Sequence, residues 1–131
     1  MLRVPTKLDS LLEDLIHWTI GCCIEVHRRL GPGLLEVIYQ RAVEIELEVA
    51  GIKFERDKPF PVMYRERLLY THKLDLVVDG RLMIELKAVE RLHPVHDAQT
   101  LSSLRVSKLK VALLINFNVA LLPDGIKRKV L

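Results

Sequence analysis

The chain has 131 residues, half of them hydrophobic, and a formal net charge of +3. That is the size of a single domain with a real core, so residues 1–131 are expected to form one unit, and disordered or fibrous architectures are excluded. The basic excess is too small to demand a polyanionic partner, and no apolar run approaches the ~18 residues needed to cross a membrane.

A first helix is predicted from about Asp9 to Leu30. Ser10 with Glu13 makes a capping-box pattern, and Leu11, Leu12, Leu15, Ile16, Thr19, Cys22, Cys23, Val26 and Leu30 recur at helical spacing. Cys22 and Cys23 are neighbours on this helix, poorly placed to bridge each other, and are expected to be small core residues of a reducing compartment. Trp18 is expected in the core. Gly31-Pro32-Gly33 ends the helix. A second helix is predicted from about Leu34 to Ala50, with Gly51 suited to its C-terminal cap.

The period then changes. Ile52 to Arg56 looks like a short strand broken by Asp57-Lys58-Pro59, and Pro61 to Tyr64 and Leu68 to Tyr70 are further extended stretches. Leu74 to Lys87 reads as two apolar strands around Asp79-Gly80. Helical spacing returns loosely from about Pro94 to Leu104. Lys110 to Phe117 is a continuous apolar run of the kind covered on both faces, and Leu121 to Leu131 carries a Pro-Asp-Gly turn followed by basic residues. The predicted order is α-α-β-β-β-β-α-β, one sheet with helices packed against it.

Asp75, Glu85 and Lys87 interrupt the apolar hairpin. Alternation puts Leu82, Ile84, Leu86 and Ala88 on one face of the second strand and Met83, Glu85 and Lys87 on the other. In the first strand Leu74, Leu76 and Val78 oppose Asp75 and Val77. Antiparallel partners share a face and have a constant index sum. A two-residue turn of Asp79-Gly80 pairs Val78 with Arg81 and sends Asp75 and Glu85 to opposite faces. A three-residue loop or a bulge brings them together, and Gly80 fits as the left-handed residue of a type I turn with a G1 bulge. Two carboxylates in one cleft repel, and a hard cation such as Mg²⁺ or Mn²⁺ relieves that repulsion. Lys87 would then stand where it can orient the attacking water or stabilise transition-state charge. Spacing alone fits a salt-bridge patch on a solvated sheet face equally well.

Asp75 with Glu85-Leu86-Lys87 resembles the PD-(D/E)XK nuclease superfamily, and Gly33-Leu34-Leu35-Glu36-Val37-Ile38-Tyr39 is similar to the motif that names its GxxExxY branch. His96-Asp97-Ala98-Gln99 and Leu113-Leu114-Ile115-Asn116-Phe117, with the basic end near Lys127-Arg128, extend the resemblance from about Leu8 to the C-terminus. It implies an α/β restriction-endonuclease-like core, a central mixed sheet flanked by helices. It also implies that Asp75, Glu85 and Glu36 bind Mg²⁺ or Mn²⁺, with the backbone carbonyl of Leu86 as a further ligand. Lys87 would be the catalytic lysine, and Gln99 matches the glutamine of a Q-x-x-x-Y signature. Ser103 departs from that signature's tyrosine, and Leu74 from the proline before the aspartate. The implied activity is metal-dependent hydrolysis of nucleic acid, DNA first. A binding module on the same fold with weak or no catalysis, and a structural subunit, are the alternatives.

Other residues carry less. His93 and His96 lack further ligands at zinc spacing, which leaves His96 as a phosphate contact. Tyr39 is expected either to support Glu36 or to pack between helices. Lys108, Lys110, Lys127, Arg128 and Lys129 would track a phosphate backbone if they converge on the cleft. The glycines match no phosphate-binding loop, and the start of the sequence shows no secretory signal, so the cytoplasm is the expected location. A homodimer would enlarge the grip on a duplex.

Overall fold

The computed structural model describes residues 8–131. The reading of the N-terminal segment, and the first seven residues of the single domain, lie outside them. Helix α1 spans Ser10–Leu30 and α2 Glu36–Val49; strands β1 (Phe54–Tyr64), β2 (Arg67–Val78) and β3 (Leu82–Lys87) follow, then α3 (Pro94–Ser107), β4 (Val111–Asn116) and β5 (Ile126–Val130). The five strands form one mixed sheet in sequence order. Neighbours are antiparallel except β3 and β4, which are parallel and joined by α3. The expected central mixed sheet flanked by helices is what the chain adopts. Among the described residues no helix is long and apolar enough to cross a membrane.

The α1 cap differs from expectation. Asp9, not Ser10, is the N-cap, and its carboxylate accepts the Leu12 N–H at 2.9 Å. Asp9 has extended backbone before the first turn, the conformation an N-cap needs, and the same carboxylate pairs with Arg81. Helix α2 ends in a Schellman motif: Ile52 N–H donates to Leu47 O and Gly51 N–H to Glu48 O, with Gly51 at φ +71°.

Two strand expectations are corrected. Asp57-Lys58-Pro59 does not break β1, because a single left-handed residue, Asp57 at φ +48°, absorbs the irregularity. Pro59 and Pro61 are tolerated because β1 is an edge strand, and both keep their places opposite Lys73 and Thr71 of β2. The basic tail is a strand: Ile126 and Val130 pack against the core while Lys127, Arg128 and Lys129 pair along β4. The observed order is therefore α-α-β-β-β-α-β-β.

Helices α1 and α2 cover one face of the sheet, packing Leu12, Ile16, Cys23, Tyr39, Val43 and Leu47 on Leu76, Val78, Ile84, Leu86, Leu113 and Ile115. Helix α3 covers the other through Leu104, against Leu74, Val77, Met83 and Ala112. Both cysteines are buried and unbridged, as expected. Trp18, expected in the core, is 63% exposed; the buried stripe of α1 runs through Leu12, Ile16, Thr19, Cys23 and Val26, and Trp18 falls outside it.

Candidate functional site

The β2–β3 register is Leu76 with Ile84, Val77 with Met83 and Val78 with Leu82. The loop is therefore Asp79-Gly80-Arg81, the odd loop that a shared face for Asp75 and Glu85 demands. The turn type differs from the expected one. Arg81 N–H closes on Val78 O at 3.0 Å, and both central residues are left-handed, Asp79 at φ +50° and Gly80 at φ +68°. That is the sign pattern of a type I′ turn, with Arg81 as the extra residue, and aspartate is among the few side chains that tolerate it.

The paired ladder stops at Leu76–Ile84. One step further, Asp75 Oδ2 accepts the Leu86 N–H at 3.0 Å, so a side chain takes over where strand pairing ends. Face assignment also breaks here. Leu76 and Val78 pack toward α1 and α2, but Leu74 packs with Val77 and Met83 on the α3 side, against the expectation that Leu74, Leu76 and Val78 share a face. Phe54 and Phe60 of β1 divide in the same way. The β1–β2 ribbon switches faces at Asp57 and Asp75, and simple alternation cannot describe a strand that kinks.

Electrostatics tie four of the expected site residues together. Burial raises the pKa of Asp75, with the Leu86 hydrogen bond and Lys87 opposing and Asp57 adding to the rise. Burial, then Asp75, push Glu85 up to about 7; Lys87 lowers it and Glu36 raises it further. Glu36 is exposed on the first turn of α2, yet desolvation and Asp75 raise it, with Lys87 opposing. The Asp75 charge thus opposes ionisation of both Glu36 and Glu85, and Lys87 favours it at all three carboxylates; carboxylate oxygens are the donor type a hard divalent cation takes. The Asp75 oxygen not held by Leu86 takes no hydrogen bond from the described residues. Among those residues, no group of three His, Cys, Asp or Glu side chains stands close enough together to hold a metal ion. The fit lies in donor chemistry and mutual repulsion.

The Gly33–Tyr39 segment places Glu36. Tyr39 is fully buried and stacked on Phe117, with ring centroids 4.6 Å apart. Its hydroxyl donates to Gly31 O at 2.6 Å and accepts the Leu34 N–H at 3.0 Å, pinning the loop before α2. Tyr39 thus packs and orders the loop instead of bonding Glu36.

Gln99 stands apart. It is exposed on α3, beside a cavity it shares with His72, Ser103 and Val62, and the structure gives its side chain no hydrogen bond among the described residues. Ser103, at the position that departs from the signature, bonds His72 Nε2 through Oγ at 2.9 Å. His96 is a helix cap: its Nδ1 accepts the His93 N–H at 2.9 Å, and the two form a capping box. The C-terminal basic residues are held by acids, Lys127 and Lys129 by Asp97 and Arg128 by Glu13. A cavity of about 560 Å³ near Glu48, Lys53 and Asp79 holds none of the four cluster residues.

Three further residues act on the cluster from outside the expected set. Asp57, a strand breaker by its sequence context, adds to the rise of the Asp75 pKa. Gln40 donates to the Asp75 backbone carbonyl at 3.3 Å. Asn116 Oδ1 accepts the Val89 N–H and its Nδ2 donates to Val89 O, holding the chain two residues beyond Lys87. A buried asparagine closing an apolar strand is the one pattern that pointed to such a role.

A family model described as the PD-(D/E)XK nuclease superfamily matches residues 13–129. No curated protein and no solved structure is significantly similar.

Proposed function

The chain belongs to the PD-(D/E)XK nuclease superfamily, and from that premise we propose that it hydrolyses phosphodiester bonds of nucleic acid, DNA first, with a divalent cation, Mg²⁺ or Mn²⁺. The observation that carries this is the mutual coupling of Asp75, Glu85 and Glu36 around Lys87 at the point where the β2–β3 ladder opens. Asp75, Glu85 and Glu36 would hold the cation, with the Leu86 carbonyl as a further oxygen. When bound, the cation supplies Lewis-acid polarisation of the phosphate and a more acidic water.

The chain's own groups do the rest. Glu85, held near 7 without a cation, would give up its proton to bind one, so that loading depends on pH around neutrality. Lys87 offers a positive charge for the phosphate oxygens as charge develops on them. Leu86 N–H and Gln40 fix Asp75 from both sides. Gln99 would serve the substrate from α3. The Gly33–Tyr39 pattern supports membership of the GxxExxY branch, and a homodimer acting in the cytoplasm completes the reading.

The test is incubation with linear, circular and single-stranded DNA and with RNA, in Mg²⁺, Mn²⁺ or EDTA. Metal-dependent cleavage lost in Asp75→Ala and Lys87→Ala supports the enzyme. Salt-sensitive binding without cleavage supports the module, a reading favoured by Ser103 at the position of the signature's tyrosine.

A further inference from the structure

Strand β3 pairs β2 only over Leu76–Val78, so from Asp75 outward β2 pairs with β1 alone. The result is a two-stranded arm whose tip is a tight turn, with Arg65 at φ +47° and Glu66 at φ +65° between the paired residues Tyr64 and Arg67. The strand that carries Asp75 continues directly into this arm.

The arm's composition is distinctive. Residues 58–73 hold Lys58, Arg65, Arg67 and Lys73 against Glu66 alone, so this stretch by itself accounts for the chain's net charge of +3. Lys58 is paired with Glu55, but Arg65, Arg67 and Lys73 have no carboxylate partner among the described residues. Tyr64 and Tyr70 are 54% and 67% exposed, and the Arg65 guanidinium lies 5.8 Å from the Tyr64 ring centre. Lys127, Arg128 and Lys129 of β5, by contrast, each have a carboxylate partner, Asp97 for the two lysines and Glu13 for the arginine. Unpaired cations beside open aromatic rings complement a phosphate chain with unstacked bases.

We propose that the β1–β2 arm binds an unpaired nucleic-acid strand, stacking bases on Tyr64 and Tyr70 and contacting phosphates through Arg65 and Arg67. It deepens the nuclease reading, and rests on it only for what happens once the strand reaches Asp75.

Anisotropy of a short labelled single strand and of its duplex, both in EDTA, tests binding without cleavage. The expected result is tighter binding of the single strand. Tyr64→Ala with Tyr70→Ala should weaken it roughly tenfold or more, and Arg65→Gln with Arg67→Gln should lower the salt slope by about 1–1.5. Unchanged thermal melting shows that these exposed substitutions leave the fold intact. Binding equal to that of the parent, a preference for duplex, or a parental dimer that the tyrosine variants turn into monomers with binding unchanged would each overturn the proposal. A parent that binds through the arm but cleaves nothing in Mg²⁺ or Mn²⁺ sinks the nuclease reading alone. Cleavage that persists with arm-independent binding sinks the arm alone.

Discussion

Asp75 and Leu86 are joined by a side-chain bond where two strands would otherwise be joined by backbone: Asp75 Oδ2 accepts the Leu86 N–H at 3.0 Å. The bond holds β3 in place while freeing the surrounding space from the ladder. It also separates the charge of Asp75 from its structural work. Asp75→Asn keeps an acceptor for Leu86 and should fold with little loss, yet lose cleavage. Asp75→Ala should lose cleavage and also about 1–2 kcal/mol of stability. Urea unfolding of the two variants, run beside a cleavage assay, separates the roles; equal stability would show that the bond contributes nothing.

Glu85 makes stability depend on pH. Its carboxyl ionises near 7 in the fold against an ordinary 4.5 in the unfolded chain. The fold therefore holds the proton more tightly, and this contribution is fully present below 4.5 and lost as pH rises through about 7. Glu85→Gln should be more stable than the parent above pH 7, by on the order of 3 kcal/mol, with the difference vanishing below the unfolded value. Denaturation midpoints across that window measure it. Mg²⁺ or Mn²⁺ should raise the parent's melting temperature more on the alkaline side of 7 than on the acid side, because a cation competes with the proton.

Tyr39 anchors the loop before Glu36 through Gly31 and Leu34. Tyr39→Phe keeps the stacking on Phe117 but leaves the Leu34 N–H and the Gly31 carbonyl without this partner. A loss of about 1–3 kcal/mol is expected. Cleavage should fall with it if Glu36 acts at the cluster, and hydrogen exchange at Leu34 should rise.

Gly125 sits against the strand end that supports Lys87. A Cβ there would lie 2.2 Å from the Asn116 backbone oxygen. Gly125→Ala must displace backbone and should cost about 2–4 kcal/mol. Asn116→Ala should be comparably costly, since it strips two hydrogen bonds from Val89. Thermal melts of both variants check this.

Much of the site was legible because period-2 alternation and index parity are strong constraints. Together they made a single cleft conditional on an odd loop or a bulge after Val78, and the loop is odd. The same rule failed at Leu74, because alternation assumes a straight strand and the ribbon switches faces at Asp57 and Asp75. Asp57 itself looked like the end of a strand, since sequence patterns record a left-handed residue and a chain break in the same way. Strand β5 was hidden because Lys127, Arg128 and Lys129 lie on a sheet edge, where side chains need not be apolar. Ser10 looked like the cap of α1 because a serine followed by a glutamate is a good local signal; Asp9 prevailed with an extended backbone and a carboxylate that also reaches Arg81.

Pro59 and Pro61 stand two apart on the outer strand, opposite Lys73 and Thr71, and neither has an N–H to give. A foreign strand approaching this margin meets two missing donors in a row, while at the opposite margin it meets Lys127, Arg128 and Lys129. Both borders of the sheet are thereby poor templates for amyloid-like growth. A homodimer of this chain would have to form through side chains rather than by extending the sheet.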